Sequence, residues 1–534
     1  MLPSRDQNYR NRFICKVLER MVNSRLMWVL ESQQLLSTSQ FGYRRGHSTL
    51  DPLTSLDTYI KSAFNQGDSV VAVFFDLEKA YDSTWKHHVL SCIRNLGIDG
   101  NMGVFVSNFL TSRTFKVRVG DSISESFNQE EGVPQGGVMS TTLFIISING
   151  IISAIPPGVR TSLYVDDLAV YAAGPNMEEL RSLIQSAVDQ ASAWATTHGF
   201  RFSTIKTCAM TFSRSRNIPQ PPLKLYDKDI PYKPFTKFLG LIFDSRLTWS
   251  IHVFYLKKEA SKRLQILQTL SHVSWGADRT MLLRLHNVLV LSKLDYGCQI
   301  YASAGETVLQ RLDVVHHEGL RLALGAFKSS PIESLYAESG FHSLYRRRAL
   351  LSLRYYARTF QFPKLEARFV TPGPPPLARR LQSLVTSMNS ILSTSGIQPM
   401  QILPMKFGNY PPWLRPRPVV CSSILPCCKN TTPPEVLYTT FRDHISVHSG
   451  SSPVYTDGSR SDDGVGFAVW FPEQYHALKF SLPSVASVFT AELYAIMMAL
   501  RYIHYSNYQS YTLYTVQIHI APCNLCKPFR QSIL

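Results

Sequence analysis

Long apolar runs are missing from this 534-residue chain. No stretch of 18 or more uncharged apolar residues occurs, which is the length a helix needs to cross hydrocarbon, so no membrane span is expected. The opening MLPSRDQNYRNRF has no apolar core of the secretory kind. Cysteine is sparse and unframed: nine are scattered, three of them (Cys421, Cys427, Cys428) in a proline-rich stretch. Cys523 and Cys526 form a lone CxxC with His519 nearby. A zinc site needs a second pair or histidines at ligand spacing. A reducing, intracellular compartment therefore fits better than an oxidising one. Acid is also in short supply. Against 55 Lys and Arg stand 38 Asp and Glu, a formal charge of +17. That excess is either solvated on ordinary faces or turned toward a polyanion, whose phosphates release counterions on binding.

What is present suffices for several cores, since 45% of the residues are hydrophobic. Residues 1–250 alternate strand-like and helix-like patterns, as in an α+β or α/β domain. Residues 251–330 read as helices, with LKKEASKRLQILQTL apolar at helical spacing and basic opposite. Residues 331–450 read as a connection, rich in proline and serine from 365 (TPGPPPLARR, YPPWLRPRP). A second α/β pattern occupies 451–534, and there is no internal repeat.

Chemistry enters with VVAVFFDLEKAYDSTW. Val70 to Phe75 is an unbroken apolar run that predicts a strand buried on both faces, with Asp76 at its open end. Ser83 reads as the N-cap of a helix whose stripe is Trp85, Val89, Ile93 and Leu96. Farther on, LYVDDLAVY sets Asp166 and Asp167 between two apolar strand segments. Two adjacent charges in such a run would cost several kcal/mol if buried unpaired. They are tolerable at a tight hairpin and better beside a divalent cation, although a surface turn explains them as simply. Three carboxylates suit two magnesium ions, which are hard and prefer oxygen, and a two-metal site needs mainly alignment and charge neutralisation. No Ser-His-Asp grouping with recognisable context competes.

The order FFDLEKAYDSTW, EEGVPQGGVMSTTLF, LYVDDLAVY resembles the palm of reverse transcriptases, most of all the non-LTR (LINE-like) retrotransposon polymerases that carry an RNase H domain. QFGYRRGHSTLDPL is similar to that group's fingers motif, and GFRFSTIKTCAMTF and KFLGLIFDSRLTW to its next two palm motifs; the likeness runs from Lys16 to Ala304. It implies a right-hand polymerase of α+β class: fingers and palm over 1–250, a helical thumb over 251–330, then a connection and a partial RNase H-like α/β domain. Its partners would be an RNA template, a DNA primer and product duplex, and deoxynucleoside triphosphates, in a nuclear or ribonucleoprotein setting. By the resemblance, Asp76, Asp166, Asp167 and the carbonyl of Leu77 would hold two magnesium ions. Tyr81 would lie under the incoming sugar and exclude a 2′-hydroxyl, although the residue alone reads as a core tyrosine. Gln135 and Gly136 would approach nucleotide and template, and Lys206 the triphosphate. Arg44, with Arg45, would contact template or triphosphate oxygens, or simply sit in a solvated turn.

Departures from the family pattern bear on activity. The apolar strand expected before Lys16, after Tyr9 and Arg10, is not in the sequence, and no upstream nuclease is expected before Met1. Gly137 and Thr141 stand where a serine and a proline are usual. In the C-terminal region PVYTDGSRSDDGVGFAVWF reads as strand, turn, strand, with Asp457 ending the first strand. SVFTAELYAIMMALRYI reads as a helix with Glu492 in its first turn and Leu493, Ile496, Met497 and Leu500 on one face. Asp457 and Glu492 resemble the first two carboxylates of RNase H. No Asp or Glu follows Glu492 in the remaining 42 residues, so the module is expected to be truncated and inactive. An active polymerase and a degraded element product that binds nucleic acid without chemistry both remain open. The Arg346–Arg348 cluster is too short for a nuclear signal.

Overall fold

The computed structural model describes residues 5–362, 381–395 and 433–515, apart from residues 112, 273, 448–449, 463 and 506–510, together with Pro411 and Trp413. The chain divides into two compact units, Met1–Pro411 and Pro412–Leu534. No described helix is long and apolar enough to cross a membrane.

The first unit is organised on strand β1 (Ser69–Phe75). Its neighbours are β2 (Arg160–Tyr164), β3 (Asp167–Gly174) and β4 (Cys208–Phe212), in the order β2-β3-β1-β4. Every pairing in this sheet is antiparallel, with Phe75 opposite Leu168 and Phe74 opposite Cys208. Helices cover both faces, which is why β1 reads as an unbroken apolar run. Val70, Ala72 and Phe74 face helix α1 (Leu50–Gln66), through its Leu53, Leu56, Ile60 and Phe64, and helix α2 (Ser250–Leu270). Val71, Val73 and Phe75 face helix α3 (Met177–Thr197), whose Leu180, Ile184, Val188, Ala191 and Ala195 repeat at helical spacing. Fully burying each valine or phenylalanine contributes about 1.5–3 kcal/mol, so the strand is fixed tightly up to the residue before Asp76.

Several sequence expectations need correction. The helix after Asp76 is Lys86–Asn95, and its N-cap residue is Trp85, not Ser83. Ser83 lies in a tight turn instead, its hydroxyl donating to the carbonyl of Glu78. Val89 and Ile93 are buried as expected, but Trp85 is exposed and its ring lies over Gly199, where a Cβ would sit 2.3 Å from it. At the N-terminus a single helix, Arg5–Ser32, runs through Tyr9, Arg10 and Lys16. Helices fill 251–330 and continue past it as Ile332–Ser339 and Leu344–Thr359, so the segment read as a connection opens with packed helix. TPGPPPLARR and most of YPPWLRPRP lie outside the described residues, as do Cys421, Cys427, Cys428, His519, Cys523 and Cys526.

The second unit has its own four-stranded sheet, formed by β5 (Ser452–Ser461), β6 (Gly464–Phe471), β7 (His476–Leu482) and β8 (Tyr511–Thr515) in the order β7-β6-β5-β8. Only β5 and β8 run parallel. Helix α4 (Val488–Tyr505) packs on this sheet. Its buried face is Ala491, Ala495 and Ala499, whereas Met497 and Leu500 are exposed. The reason is proximity. A Cβ on Gly458 would sit 2.6 Å from the Glu492 nitrogen, so only small side chains fit between helix and strand. Asp457 lies within β5, opposite Ala468, and not at its end.

Candidate active site

Asp76 leaves the sheet at the open end of β1. Its backbone N–H donates to the Thr207 hydroxyl at 3.3 Å, and its carbonyl accepts from Ser203 N–H at 2.8 Å. Leu77 forms an antiparallel bridge with Phe202. The hydrogen bonds of that pairing belong to the flanking residues, Ser203 to Asp76 and Glu78 to Arg201. Leu77 therefore turns its own carbonyl away from Phe202, toward the side of β1 on which β3 lies.

The next strand along, β3, begins at Asp167. Tyr164 pairs with Asp167, leaving Val165 and Asp166 as a two-residue hairpin turn. Val165 has φ +61°, the left-handed geometry that a type II′ turn asks of its first residue and that glycine normally supplies. A β-branched residue there stores about 1–3 kcal/mol of strain. The tight turn and the β1–β3 register bring Asp166 and Asp167 beside the end of β1.

Asp166 and Asp167 both feel the charge of Asp76. Asp166 has its pKa raised, first by burial and then by the charge of Asp76, against a hydrogen bond from its own backbone. Asp167 is exposed at its tip, yet enough protein surrounds it for desolvation to lead. With the charges of Asp166 and Asp76 added, its pKa is pushed up to about 6. Like charges held together gain from a cation, and carboxylate oxygens are the donors magnesium prefers. The donor chemistry thus fits magnesium. The side chains are not drawn into a ligand set, however: among the described residues no three His, Cys, Asp or Glu groups converge on a metal position. Lys206 Nζ lies 3.3 Å from Asp76 Oδ2 and partly offsets the charge there.

Around this centre the remaining predicted residues divide. Tyr81 stacks on Phe144 with ring centroids 4.8 Å apart. Burial, then a hydrogen bond with Tyr43, raises its pKa. The backbone of Tyr81 is held by Val133 N–H at 2.9 Å. Gly132, at φ +82°, passes so close to this turn that a Cβ would lie 2.8 Å from the Asp82 carbonyl. Gln135 is exposed and donates to Asp82 Oδ1 at 2.8 Å, while the Gly136 carbonyl accepts from Lys16 Nζ at 3.3 Å. The first helix also reaches this loop through Glu19, which accepts from Val138 N–H at 2.7 Å. Arg44 is placed differently from the expectation. Its guanidinium binds both oxygens of Glu31 at 2.8 Å and donates to the carbonyls of Ser37 (2.7 Å) and Gln40 (2.9 Å). Arg45 next to it is exposed. Tyr43, Asp82 and Glu19 have no local signal because each acts through a partner far off in the chain, and Glu31 because its partner Arg44 lies on a different element.

In the second unit, Gly458, next to Asp457, touches the helix backbone at Ala491 and Glu492. Asp457 is exposed and Glu492 buried. Glu492 lies beyond the first turn of its helix.

Residues 2–243 match the protein family described as reverse transcriptase (RNA-dependent DNA polymerase). The chain is 26% identical over 324 residues to a probable RNA-directed DNA polymerase from transposon X-element of Drosophila melanogaster, covering 58% of this chain and 34% of that one. It is 26% identical over 382 residues to the corresponding protein of transposon BS, covering 69% and 41%. The polymerase of the mobile element jockey, also from Drosophila melanogaster, is 25% identical over 321 residues, covering 58% and 34%. Residues 2–243 belong to the reverse transcriptases, and the relatives are polymerases of transposons and mobile elements. The chain spans between a third and about two-fifths of the length of these relatives. Among solved structures, a telomerase from Candida albicans overlays with a TM-score of 0.33 at 12% identity, over 62% of this reverse-transcriptase chain and 58% of that one.

Proposed function

We propose that the chain is an RNA-directed DNA polymerase, adding deoxynucleotides to a DNA primer on an RNA template with two magnesium ions. The observation that carries this reading is the placement of Asp166 and Asp167, on a tight hairpin turn, beside Asp76 at one end of a rigid sheet, where the charge of Asp76 helps to raise the pKa of both. Asp76, Asp166, Asp167 and the Leu77 carbonyl would hold the ions. When bound, magnesium would supply charge neutralisation at the attacking and leaving oxygens of an in-line transfer. Lys206, already beside Asp76, is in place to turn its ammonium toward the triphosphate. Tyr81, braced by Phe144 and Tyr43, would offer its ring to the sugar. Gln135 and Gly136 would present a backbone edge to nucleotide and template. Arg44 is assigned a structural role, and Arg45 is the arginine free to meet a phosphate.

In this reading residues 1–250 are fingers and palm, 251–330 a thumb that grips duplex phosphates, 331–450 a connection, and 451–534 an RNase H-like domain. That domain is proposed to be hydrolytically inactive, because Asp457 and Glu492 have no third carboxylate on β8 (Tyr511–Thr515), the strand parallel to β5.

Primer extension on an RNA template with magnesium tests the proposal. Asp166→Ala should reduce extension by about 10²–10³-fold or more, as loss of a principal charge-stabilising group does. Wild-type protein that extends no better than this variant defeats the polymerase reading. Salt-dependent binding of an RNA–DNA duplex without extension would select the alternative, a degraded element product. The strand missing before Lys16 and the incomplete RNase H-like module favour that alternative, and the intact set of Asp76, Asp166 and Asp167 favours the polymerase.

A further inference from the structure

The outer side of the edge strand β2 is covered by a short segment from early in the chain. Leu163 N–H donates to the Ser39 carbonyl and Phe41 N–H to the Leu163 carbonyl, both at 2.9 Å, making a parallel bridge between Gln40 and Leu163. Two residues on, the Val165–Asp166 turn meets the same segment. The Gln40 side chain is fully buried. Its Oε1 accepts from Gly42 N–H at 2.9 Å and from Val165 N–H at 3.4 Å. Both contacts are from N–H donors, so the amide oxygen must face them. Gln40 Nε2 has no partner among the described residues, a burial cost tolerated for the sake of one acceptor. Gly42 closes the arrangement from the other side. A Cβ there would lie 2.5 Å from Val165 Cγ2 and 2.7 Å from Val165 nitrogen, so no larger residue permits this turn. The segment is itself pinned, since Arg44, anchored on Glu31, donates to the Gln40 carbonyl.

We propose that Gln40 and Gly42 are positioning residues: they hold the strained Val165–Asp166 turn and so fix where Asp166 and Asp167 present their carboxylates. This rests on the polymerase reading above and adds to it a restraint from a segment more than 120 residues away in the chain. A glutamine buried for packing alone would contact side chains of a core. Gln40 instead spends its acceptor on the backbone of the one left-handed β-branched residue that precedes the acidic pair.

The test is Gln40→Met, which keeps length and apolar bulk and removes the acceptor. Wild type and Asp166→Ala are run beside it. The expected result is a fall in kcat for primer extension of about tenfold with KM for the nucleotide altered less than about twofold. Amide exchange over 160–170 should quicken while 69–75 is unchanged. Val165→Gly, which adopts φ near +60° without strain, should restore kcat in the Gln40→Met background to within about threefold of wild type. Gly42→Ala should reproduce both the kcat loss and the faster exchange, and decides the matter if Gln40→Met does not fold. Wild-type kcat and exchange in a folded Gln40→Met, or a kcat loss that Val165→Gly leaves untouched, overturns the proposal. If wild-type protein extends no primer, the polymerase reading fails, but the exchange comparison still judges the restraint.

Discussion

Acid should unfold the first unit at a pH where most proteins of its size are comfortable, because three histidines are buried there in the neutral form. His252, His286 and His316 are between 0 and 1% exposed. Burial, reinforced by Lys293 and Lys237, lowers the pKa of His252 to about 4. Burial and Arg347 lower that of His286 to about 4. Burial and His286 itself lower that of His316 to about 3, against a hydrogen bond with the His342 carbonyl. His286 Nε2 and His316 Nδ1 lie 3.0 Å apart in one hydrogen bond, and His252 Nδ1 accepts from Ile242 N–H at 3.3 Å. A protonated ring could not accept that bond. Below the unfolded pKa of about 6.5 the unfolded chain takes up protons that the folded chain refuses, so stability is full above 6.5 and drains away as pH falls toward the folded values. Near pH 5 the loss is about 2 kcal/mol for each histidine, or about 6 kcal/mol together. That is comparable to the whole net stability of a typical domain, about 5–15 kcal/mol. Protonation of Asp57, Asp166, Asp167 and Asp313, whose pKa values burial raises, works the other way and offsets part of this loss. Urea unfolding followed by tryptophan fluorescence, with Trp249 6.2 Å from the His252 ring as a local reporter, should show the loss between about pH 7 and pH 5. His252→Asn, whose amide oxygen can still accept from Ile242, should remove about a third of the pH dependence whatever it does to stability at neutral pH. An unfolding free energy constant to within about 1 kcal/mol across that range would refute the reasoning.

Two further substitutions probe close contacts. Arg44→Lys should destabilise the first unit by about 2–3 kcal/mol, because a point charge cannot reproduce the two-oxygen grip on Glu31 together with both carbonyl bonds; a thermal melt within a degree of wild type would contradict the placement of Arg44. Gly458→Ala should lower the stability of the second unit by about 1–3 kcal/mol through overpacking against the helix at Glu492, measured by urea unfolding of the full chain; an unchanged transition for that unit would mean the helix lies farther from the sheet.

Legibility in the sequence followed how local each signal was. Val70–Phe75 could be read as a strand buried on both faces because its own six side chains carry that information. Its antiparallel partners could not be read from it, since β3 and β4 are supplied by chain far downstream. Asp166 and Asp167 were legible as a hairpin, whereas the left-handed Val165 was not, because valine gives no sign of accepting that geometry. Ser83 had the chemistry of a helix cap, but the turn after Asp76 used its hydroxyl for the Glu78 carbonyl. The stripe of Leu493, Ile496, Met497 and Leu500 misled for another reason. Size is no sign of burial at a close helix–sheet contact, where the alanines are the residues that go inside. Two neighbouring arginines, 44 and 45, look equivalent in sequence, and only the remote Glu31 distinguishes them.

The strand order of the central sheet carries a consequence for synthesis. β1 is flanked by β3 and β4, so its first neighbour is complete only at Gly174 and its second at Phe212. A ribosome moving at about 5–20 residues per second needs on the order of ten seconds to travel from Phe75 to Gly174. Throughout it, the apolar segment Val70–Phe75 is out of reach of the partners that will hide it, and the aspartate that follows it faces no companions. The nascent chain is therefore at its most adhesive while the acidic centre does not yet exist, and helix α1, made just before β1, is the cover available for its apolar side chains until the hairpin arrives.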